Sequence, residues 1–325
     1  MARILVTGST GCIGSSTVDW LLADGVGEIV GLNRGVPSSE SADSRLRHLR
    51  GDVTDGDCLR EALREFRPTH VLHLASLQSP ECRDHPMRGL DVNLVGTANL
   101  FRACAELDSP LERFVFASSG GVYGPRSLYG PEGVLPDAPY QPFNLYGFWK
   151  IAGEGMAQAF HQATGTPTVS LRLATTYGPG RDRGFTAAGT RALKAVALGL
   201  PFETPYKGSE HYHFSCDVGA AFGCAVLRPF TGYGAFNLRG ESLPIEEFLE
   251  FVRQAAEDRG LGDRFKVTIA PEARETPFVY ELNDDSTITA FPDMPLTALR
   301  EGISESLDFF LAAAEKGQLS EADLG

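Results

Sequence analysis

Residues 3–14 read Arg3-Ile4-Leu5-Val6-Thr7-Gly8-Ser9-Thr10-Gly11-Cys12-Ile13-Gly14. An apolar run of strand length ends in glycines spaced three apart, and a helical pattern, Ser15–Ala23, follows. A pyrophosphate binds where backbone N–H groups project from a helix N-terminus and no Cβ blocks the approach. Glycines also make ordinary turns, but a turn placed between strand and helix favours the phosphate-binding reading. Gly8, Thr10, Gly11, Cys12, Ile13 and Gly14 are therefore candidate dinucleotide contacts.

Outward from this turn, apolar runs at Glu28–Leu32, His70–Leu74, Arg113–Ala117 and Thr168–Leu173 alternate with helical patterns at Cys58–Phe66, Gly89–Ala105 and Leu145–His161. Repeated strand, helix, strand predicts an α/β protein with a Rossmann-type, doubly wound parallel sheet. The nearly continuous hydrophobicity of the runs suits strands buried on both faces. After Gly178 the pattern breaks into Gly- and Pro-punctuated loops, with helical stretches at Ala187–Ala197, Val218–Leu227, Leu243–Arg259 and Leu296–Ala314. The strand-like stretches there are Ala235–Leu238 and Phe265–Ile269. The expected division is a dinucleotide-binding domain over 1–178, with 214–240 returning to it. A smaller C-terminal substrate domain is expected from 179–213 and 241–325.

Composition narrows the function. Of 325 residues, 42% are hydrophobic and 22% charged, an ordinary globular balance. The formal net charge of −13 repels phosphate backbones and anionic lipid, which argues against nucleic-acid or membrane-surface partners. No apolar run reaches the ~18 residues of a membrane span. The chain enters its first strand without a signal-peptide pattern, so a cytoplasmic location is expected. The six cysteines form no C-x-x-C pair, as in a reducing compartment. His211 and His213 lack further ligands nearby in sequence, and no metal site is expected.

Three further segments carry chemistry. The second strand ends in Asn33-Arg34, where NAD-binding chains place an acid; Asn33 does not repel a 2′-phosphate and Arg34 can pair with one. NAD and NADP both remain open, with NADP slightly favoured. Asp52-Val53 is a second candidate contact on the adenosine side. Tyr146 and Lys150, four apart on a helix, share one face. A nearby ammonium and an oxidised nicotinamide draw a phenol down from its usual value of about 10 towards general acid/base work. Ser118-Ser119 follows a strand, at the sheet edge where open α/β folds bind ligands, and Ser119 can hold a substrate oxygen.

Together these residues resemble the extended short-chain dehydrogenase/reductase superfamily, which includes the NAD-dependent sugar epimerases and dehydratases. The resemblance runs through Thr7–Gly14, Asp52-Val53, His73-Leu74-Ala75-Ser76, Asn93, Ser119, the Tyr146/Lys150 pair with Glu154 beyond it, and Leu171-Arg172 leading to Tyr177-Gly178-Pro179-Gly180. It implies that Leu74, Ala75 and Ser76 line the nicotinamide-ribose side, that Asn93 supports the catalytic helix, and that Lys150 binds the ribose. Tyr146 and Ser119 would handle proton and oxygen. Gln78, Ser119 and Thr175 are the candidate substrate contacts. In this family the Gly89–Ala105 and Leu145–His161 helices often form a dimer interface, so a homodimer is expected, with Leu94, Leu100, Phe101, Phe148, Ile151 and Met156 as candidate apolar contacts.

The departures are as informative. Dehydratases of this kind carry an acidic pair where this chain has Gly120-Gly121, and decarboxylating relatives carry Glu at the second position. Thr175 stands where sugar-nucleotide members usually have Asn, and Glu210 where they commonly have an Arg for the diphosphate. Arg181 and Arg183 offer charge in compensation. These differences lead to an NAD(P)-dependent oxidoreductase or epimerase acting at a carbinol of a small sugar, polyol or hydroxy/keto acid. A nucleotide-sugar 4-epimerase with an altered diphosphate site is the alternative, and a catalytically inactive dinucleotide-binding regulator the alternative of another class.

Overall fold

The computed structural model describes residues 2–35, 41 and 43–325. Its strands are β1 (Arg3–Thr7), β2 (Glu28–Asn33), β3 (Leu46–Arg50), β4 (His70–His73), β5 (Arg113–Ser119), β6 (Thr168–Leu173), β7 (Thr175–Tyr177), β8 (Phe202–Lys207), β9 (Ser209–Phe214), β10 (Tyr233–Asn237), β11 (Glu241–Pro244) and β12 (Val267–Glu275). Seven of them form one parallel sheet in the order β10-β6-β5-β4-β1-β2-β3. The chain winds outward from β1 in one direction and from β4 in the other. A crevice opens between their C-terminal ends, where this fold class binds its ligands.

Side-chain alternation along the strands explains why helices cover both faces. Ile4 and Val6 of β1 join Leu72, Val115 and Leu171 beneath the Cys12–Ala23 and Ser215–Leu227 helices. Leu5 points the other way, into a core with Val30, Val71 and Phe114 under the Gly56–Phe66, Gly96–Ala105 and Leu145–Thr164 helices. Nearly all residues of the inner strands β1, β4, β5 and β6 thus leave water on one side or the other.

The expected single helix over Gly89–Ala105 is built differently. An α turn at Pro86–Gly89 gives way to a π-helical segment, Leu90–Val95, before α geometry resumes at Gly96. Such widened turns are rare and tend to mark functional sites. Here the segment carries Asn93.

Two smaller sheets complete the molecule. β9 pairs in parallel with β7 and antiparallel with β11, and β8 pairs in parallel with β12. The Ala188–Leu198, Ile245–Glu257 and Leu299–Glu315 helices close a core of their own over Tyr177, Tyr212 and Phe214. β7 lies before the expected domain boundary at 178 and its partner β9 lies beyond it. β10 pairs with β6 at the edge of the main sheet. No helix among the described residues is long and apolar enough to cross a membrane.

Candidate active site

The glycine turn begins where β1 ends. Gly8 has φ +75°, and a Cβ there would stand 2.9 Å from the Ala75 amide nitrogen; at Gly14 a Cβ would stand 2.1 Å from the Gly8 carbonyl oxygen. Neither position has room for a side chain, and Gly14 lets the Cys12–Ala23 helix start tight against the turn. β2 braces the turn from beside it. Asn33 Oδ1 accepts from the Thr10 N–H and hydroxyl, each at 3.2 Å, and Nδ2 donates to the Ser9 hydroxyl at 2.8 Å. Asn33 therefore has both ends of its amide engaged within the protein, and Arg34 is the exposed residue beside it.

A cavity of about 350 Å³ opens in the crevice. Gly8, Thr10, Gly11, Asn33 and Arg34 line it, as do Asp52, Val53, Leu74, Ala75 and Ser76. Cys12, Ile13 and Gly14 form the first turn of the adjoining helix, whose N–H groups are placed to receive an anion. Asp52 accepts from the Thr54 amide at 3.0 Å and its hydroxyl at 2.9 Å. The residues present fit a dinucleotide, because the glycine cradle is one that a Cβ would fill. A second cavity of about 300 Å³ continues past Arg34 and Asp52 to Thr54, Arg88 and Asp91.

The floor of the crevice is held by a hydrogen-bond chain that the motif reading gave no role. His73 Nδ1 meets the Thr7 hydroxyl at 2.8 Å and Nε2 meets the Thr97 hydroxyl at 2.9 Å. Burial pushes this imidazole down to about 3, with the Lys150 charge adding to the effect, so it stays neutral. Asn93, from the π-helical segment, accepts from the Leu77 N–H at 2.7 Å and donates to the Leu77 carbonyl at 2.9 Å. Asn93, expected among the cofactor contacts and as a support of the catalytic helix, thus fixes the loop that presents Ser76 and Gln78.

Ser119 ends β5, and Tyr146 and Lys150 lie in the first turns of the Leu145–Thr164 helix, which Asn144 caps by accepting from the Gly147 N–H at 2.9 Å. The Lys150 ammonium donates to the Ala117 carbonyl at 2.6 Å and stands 5.4 Å from the centre of the Tyr146 ring. Burial pushes it down to about 8. The Tyr146 phenol is pushed up to about 12, again by burial, against the pull of a hydrogen bond with Ser119 and the charge of Arg181. The protein's own groups therefore hold a neutral phenol, because desolvation outweighs their pull; the lowering expected from the sequence also calls on the charge of an oxidised nicotinamide. An added Cβ at Gly121 would lie 3.3 Å from Ser119 Oγ and 3.6 Å from Tyr146 Cδ1. That position borders the reacting groups, yet it carries no acid.

On the substrate side, Gln78 Oε1 and Arg181 Nη2 crowd onto Gly184, and Arg181 also donates to the Thr186 hydroxyl at 2.9 Å. Glu210 is wholly buried. It accepts from the Tyr206 hydroxyl at 2.9 Å and has weaker contact with Thr276, and Thr175 also bonds to it. Burial pushes its carboxyl up to about 7. Glu210 therefore ties strands together, and its charge reaches a ligand only through the intervening protein. His211 and His213 are equally structural. His213 Nε2 accepts from the Ala174 N–H at 2.9 Å while Nδ1 donates to the Arg239 carbonyl at 2.7 Å. Among the described residues no group of three or more His, Cys, Asp or Glu is gathered as metal ligands.

The family model for the NAD dependent epimerase/dehydratase family matches residues 4–215. The chain belongs to this family. It is 35% identical over 235 residues to a UDP-glucose 4-epimerase of Mycolicibacterium smegmatis, covering 68% of this chain and 72% of that protein. With UDP-glucuronate 4-epimerase 2 of Arabidopsis thaliana it shares 25% identity across 97% of this chain and 77% of that one. The crystal structure of the UDP-glucose 4-epimerase of Thermus thermophilus in complex with NAD superposes with a TM-score of 0.80 at 30% identity, covering 96% of this chain and 99% of that one. The chain is thus an enzyme of the extended short-chain dehydrogenase/reductase type, from an NAD-dependent family, and the inactive-regulator alternative falls.

Proposed function

We propose that this enzyme uses NAD(P) to move a hydride at a carbinol carbon of a small sugar, polyol or hydroxy/keto acid, as an oxidoreductase or an epimerase. The observation that carries this reading is the gathering of Ser119, Tyr146 and Lys150 at the C-terminal end of the sheet, beside a glycine cradle. A nicotinamide dinucleotide bound there supplies the hydride acceptor. Gly8, Gly11 and Gly14 would hold its pyrophosphate, Leu74, Ala75 and Ser76 its ribose side, and Lys150 the ribose hydroxyls. Tyr146 takes the proton from the carbinol oxygen and Ser119 donates a hydrogen bond to that oxygen. A phenol held near 12 must first lose its own proton to solvent, and the positive charge of an oxidised cofactor would favour that loss, leaving a phenolate to take the carbinol proton. With no acid at Gly120 or Gly121, a leaving group has no proton donor there, which supports redox chemistry over elimination.

A second reading, a nucleotide-sugar 4-epimerase, is favoured by the names of the relatives. The loss of a diphosphate-binding Arg at position 210, where the buried Glu210 instead ties strands together, weighs against it. For the cofactor, Arg34 supports a slight preference for NADP, and Arg88 borders the neighbouring cavity. The test is to incubate the purified protein with NAD or NADP and panels of polyols, free sugars and sugar nucleotides. Net nicotinamide reduction with a small carbinol supports the oxidoreductase. An isomerised product without net reduction supports an epimerase, and its substrate separates free from nucleotide-linked sugars. Inactivity on all free carbinols, with turnover of a sugar nucleotide, would replace the first reading by the second.

A further inference from the structure

Behind Ser119 and Lys150 lies a buried polar cluster that none of these steps uses. Glu154 sits one helical turn past Lys150, on the same face of the Leu145–Thr164 helix. Its side chain is 2% exposed and that of Arg172, on β6, 1%. Arg172 Nε donates to Glu154 Oε1 and Nη2 to Oε2, both at 2.8 Å, in the two-pronged geometry that guanidinium and carboxylate share. Each carboxylate oxygen has a second donor, Ser118 Oγ at 2.5 Å and the Tyr140 hydroxyl at 2.7 Å. Arg172 Nη1 goes on to the Tyr123 hydroxyl. The cluster therefore grips β5 at the residue before Ser119, and the helix one turn from Lys150. Stability alone gives little reason for it, since well-packed apolar side chains often replace a buried ion pair at no cost.

We propose that Glu154 is a positioning residue: through Ser118 and Arg172 it fixes the helix against β5 and β6, and its carboxylate keeps Lys150 an ammonium in its buried place. The proposal rests on Lys150 being the cation of the site. The groups facing Lys150 leave Glu154 as its anion among the described residues. His73 from β4 is neutral, the Tyr146 phenol is held near 12, and burial pushes the Cys82 thiol, from the Ser79–Asp84 helix, up to about 11. Burial drives Lys150 down; Cys82 and Glu154 oppose it, and with the thiol protonated the Glu154 carboxylate is the opposing charge that remains.

The chain has five lysines, Lys150, Lys194, Lys207, Lys266 and Lys316, so selective carbon-13 labelling of lysine gives a spectrum simple enough to follow one side chain. Lys150→Arg identifies the resonance. In the wild type it is expected to titrate near 8; in Glu154→Gln the midpoint should fall by about one pH unit. If that variant does not fold, Glu154→Gln with Arg172→Met leaves no unpaired buried guanidinium and should show a smaller fall in the same direction. Tyr140→Phe removes one bond to the carboxylate while keeping its charge, and should leave the midpoint in place. An unchanged midpoint in the folded double variant, or an equal fall in Tyr140→Phe, overturns the proposal. The titration needs no turnover, so it stands or fails independently of the substrate. In the panel assay, loss of Glu154 should also bring the alkaline decline of kcat to lower pH, which a purely structural role would not do.

Discussion

At the scale of single residues, the chemistry rests on one phenol. Tyr146→Phe removes the proton carrier but keeps the ring beside Lys150, so cofactor affinity should hold while turnover falls by roughly two to four orders of magnitude. Comparing kcat with dinucleotide titration checks this, and near-normal kcat removes Tyr146 from the proposed role. Cofactor choice turns on Arg34, which lies exposed at the end of the cavity. A partly exposed guanidinium–phosphate bond contributes on the order of 1.5–3 kcal/mol. Arg34→Ala should therefore weaken NADP about ten- to a hundredfold and leave NAD unchanged, and added salt should erode the difference. Calorimetric titration of both dinucleotides decides it; equal losses for both would assign Arg34 no part in the choice. The neighbouring Asn33 shows where residue-level reading stops. Its position at the end of β2 was legible as a place where an acid was missing. Its actual bonds, to Ser9 and Thr10, depend on how β2 lies against the glycine turn. Ser38 and Ser39, further candidates near the 2′-phosphate, lie outside the described residues.

At the scale of elements, the two helices beside the catalytic groups carry apolar side chains that the protomer does not bury. Phe148 is 55% exposed and Val95 40%, whereas Leu100 and Phe101, also expected at an interface, lie in the protomer's own core. The homodimer hypothesis therefore narrows to Phe148, Val95 and their neighbours. Phe148→Asp should give a monomer by light scattering at micromolar concentration where the wild type gives a dimer; a monomeric wild type ends the hypothesis. The error over Leu100 and Phe101 is instructive. Helical periodicity tells which residues are apolar, but not which of two apolar neighbours receives them. The buried strands were legible because parallel strands covered on both faces are continuously apolar, as in Val115 and Phe116. β3 was not among those runs, since Leu46-Arg47-His48-Leu49-Arg50 is an edge strand with its arginines outward. The π turn at Leu90–Val95 leaves no periodic mark in so short a segment. The turn carries Asn93 to the Leu77 peptide, a contact between segments that sequence does not align.

At the scale of the whole molecule, buried titratable groups set how stability varies with pH. His73, His211 and His213 are pushed by burial to about 3, 4 and 3, against 6.5 in an unfolded chain. A depressed histidine contributes stability that is fully present above 6.5 and is lost as pH falls from there towards its folded value. Glu210 has the opposite sign. Its carboxyl is raised from 4.5 to about 7, so its contribution is fully present below 4.5 and is lost as pH rises through 7. Near pH 5.5 the three histidines give the unfolded chain up to three extra protons, while Glu210 gives the folded chain one. These four groups leave a net two, so stability should fall by roughly 2.7 kcal/mol for each pH unit of acidification there. Glu210→Gln isolates one sign from the other. An amide can still accept from Tyr206, and it removes the cost of a buried charge above pH 7. In urea unfolding the variant should be more stable than the wild type at pH 8. That advantage should shrink as pH falls through 7 and vanish by about 4.5, where the carboxyl is protonated in both states. The acid-side slope of the variant near pH 5.5 should also be steeper, because the opposing proton is gone. Equal stabilities at pH 8 would mean that Glu210 is solvated or paired when charged, and that its field does not act on the substrate side as a buried carboxylate would.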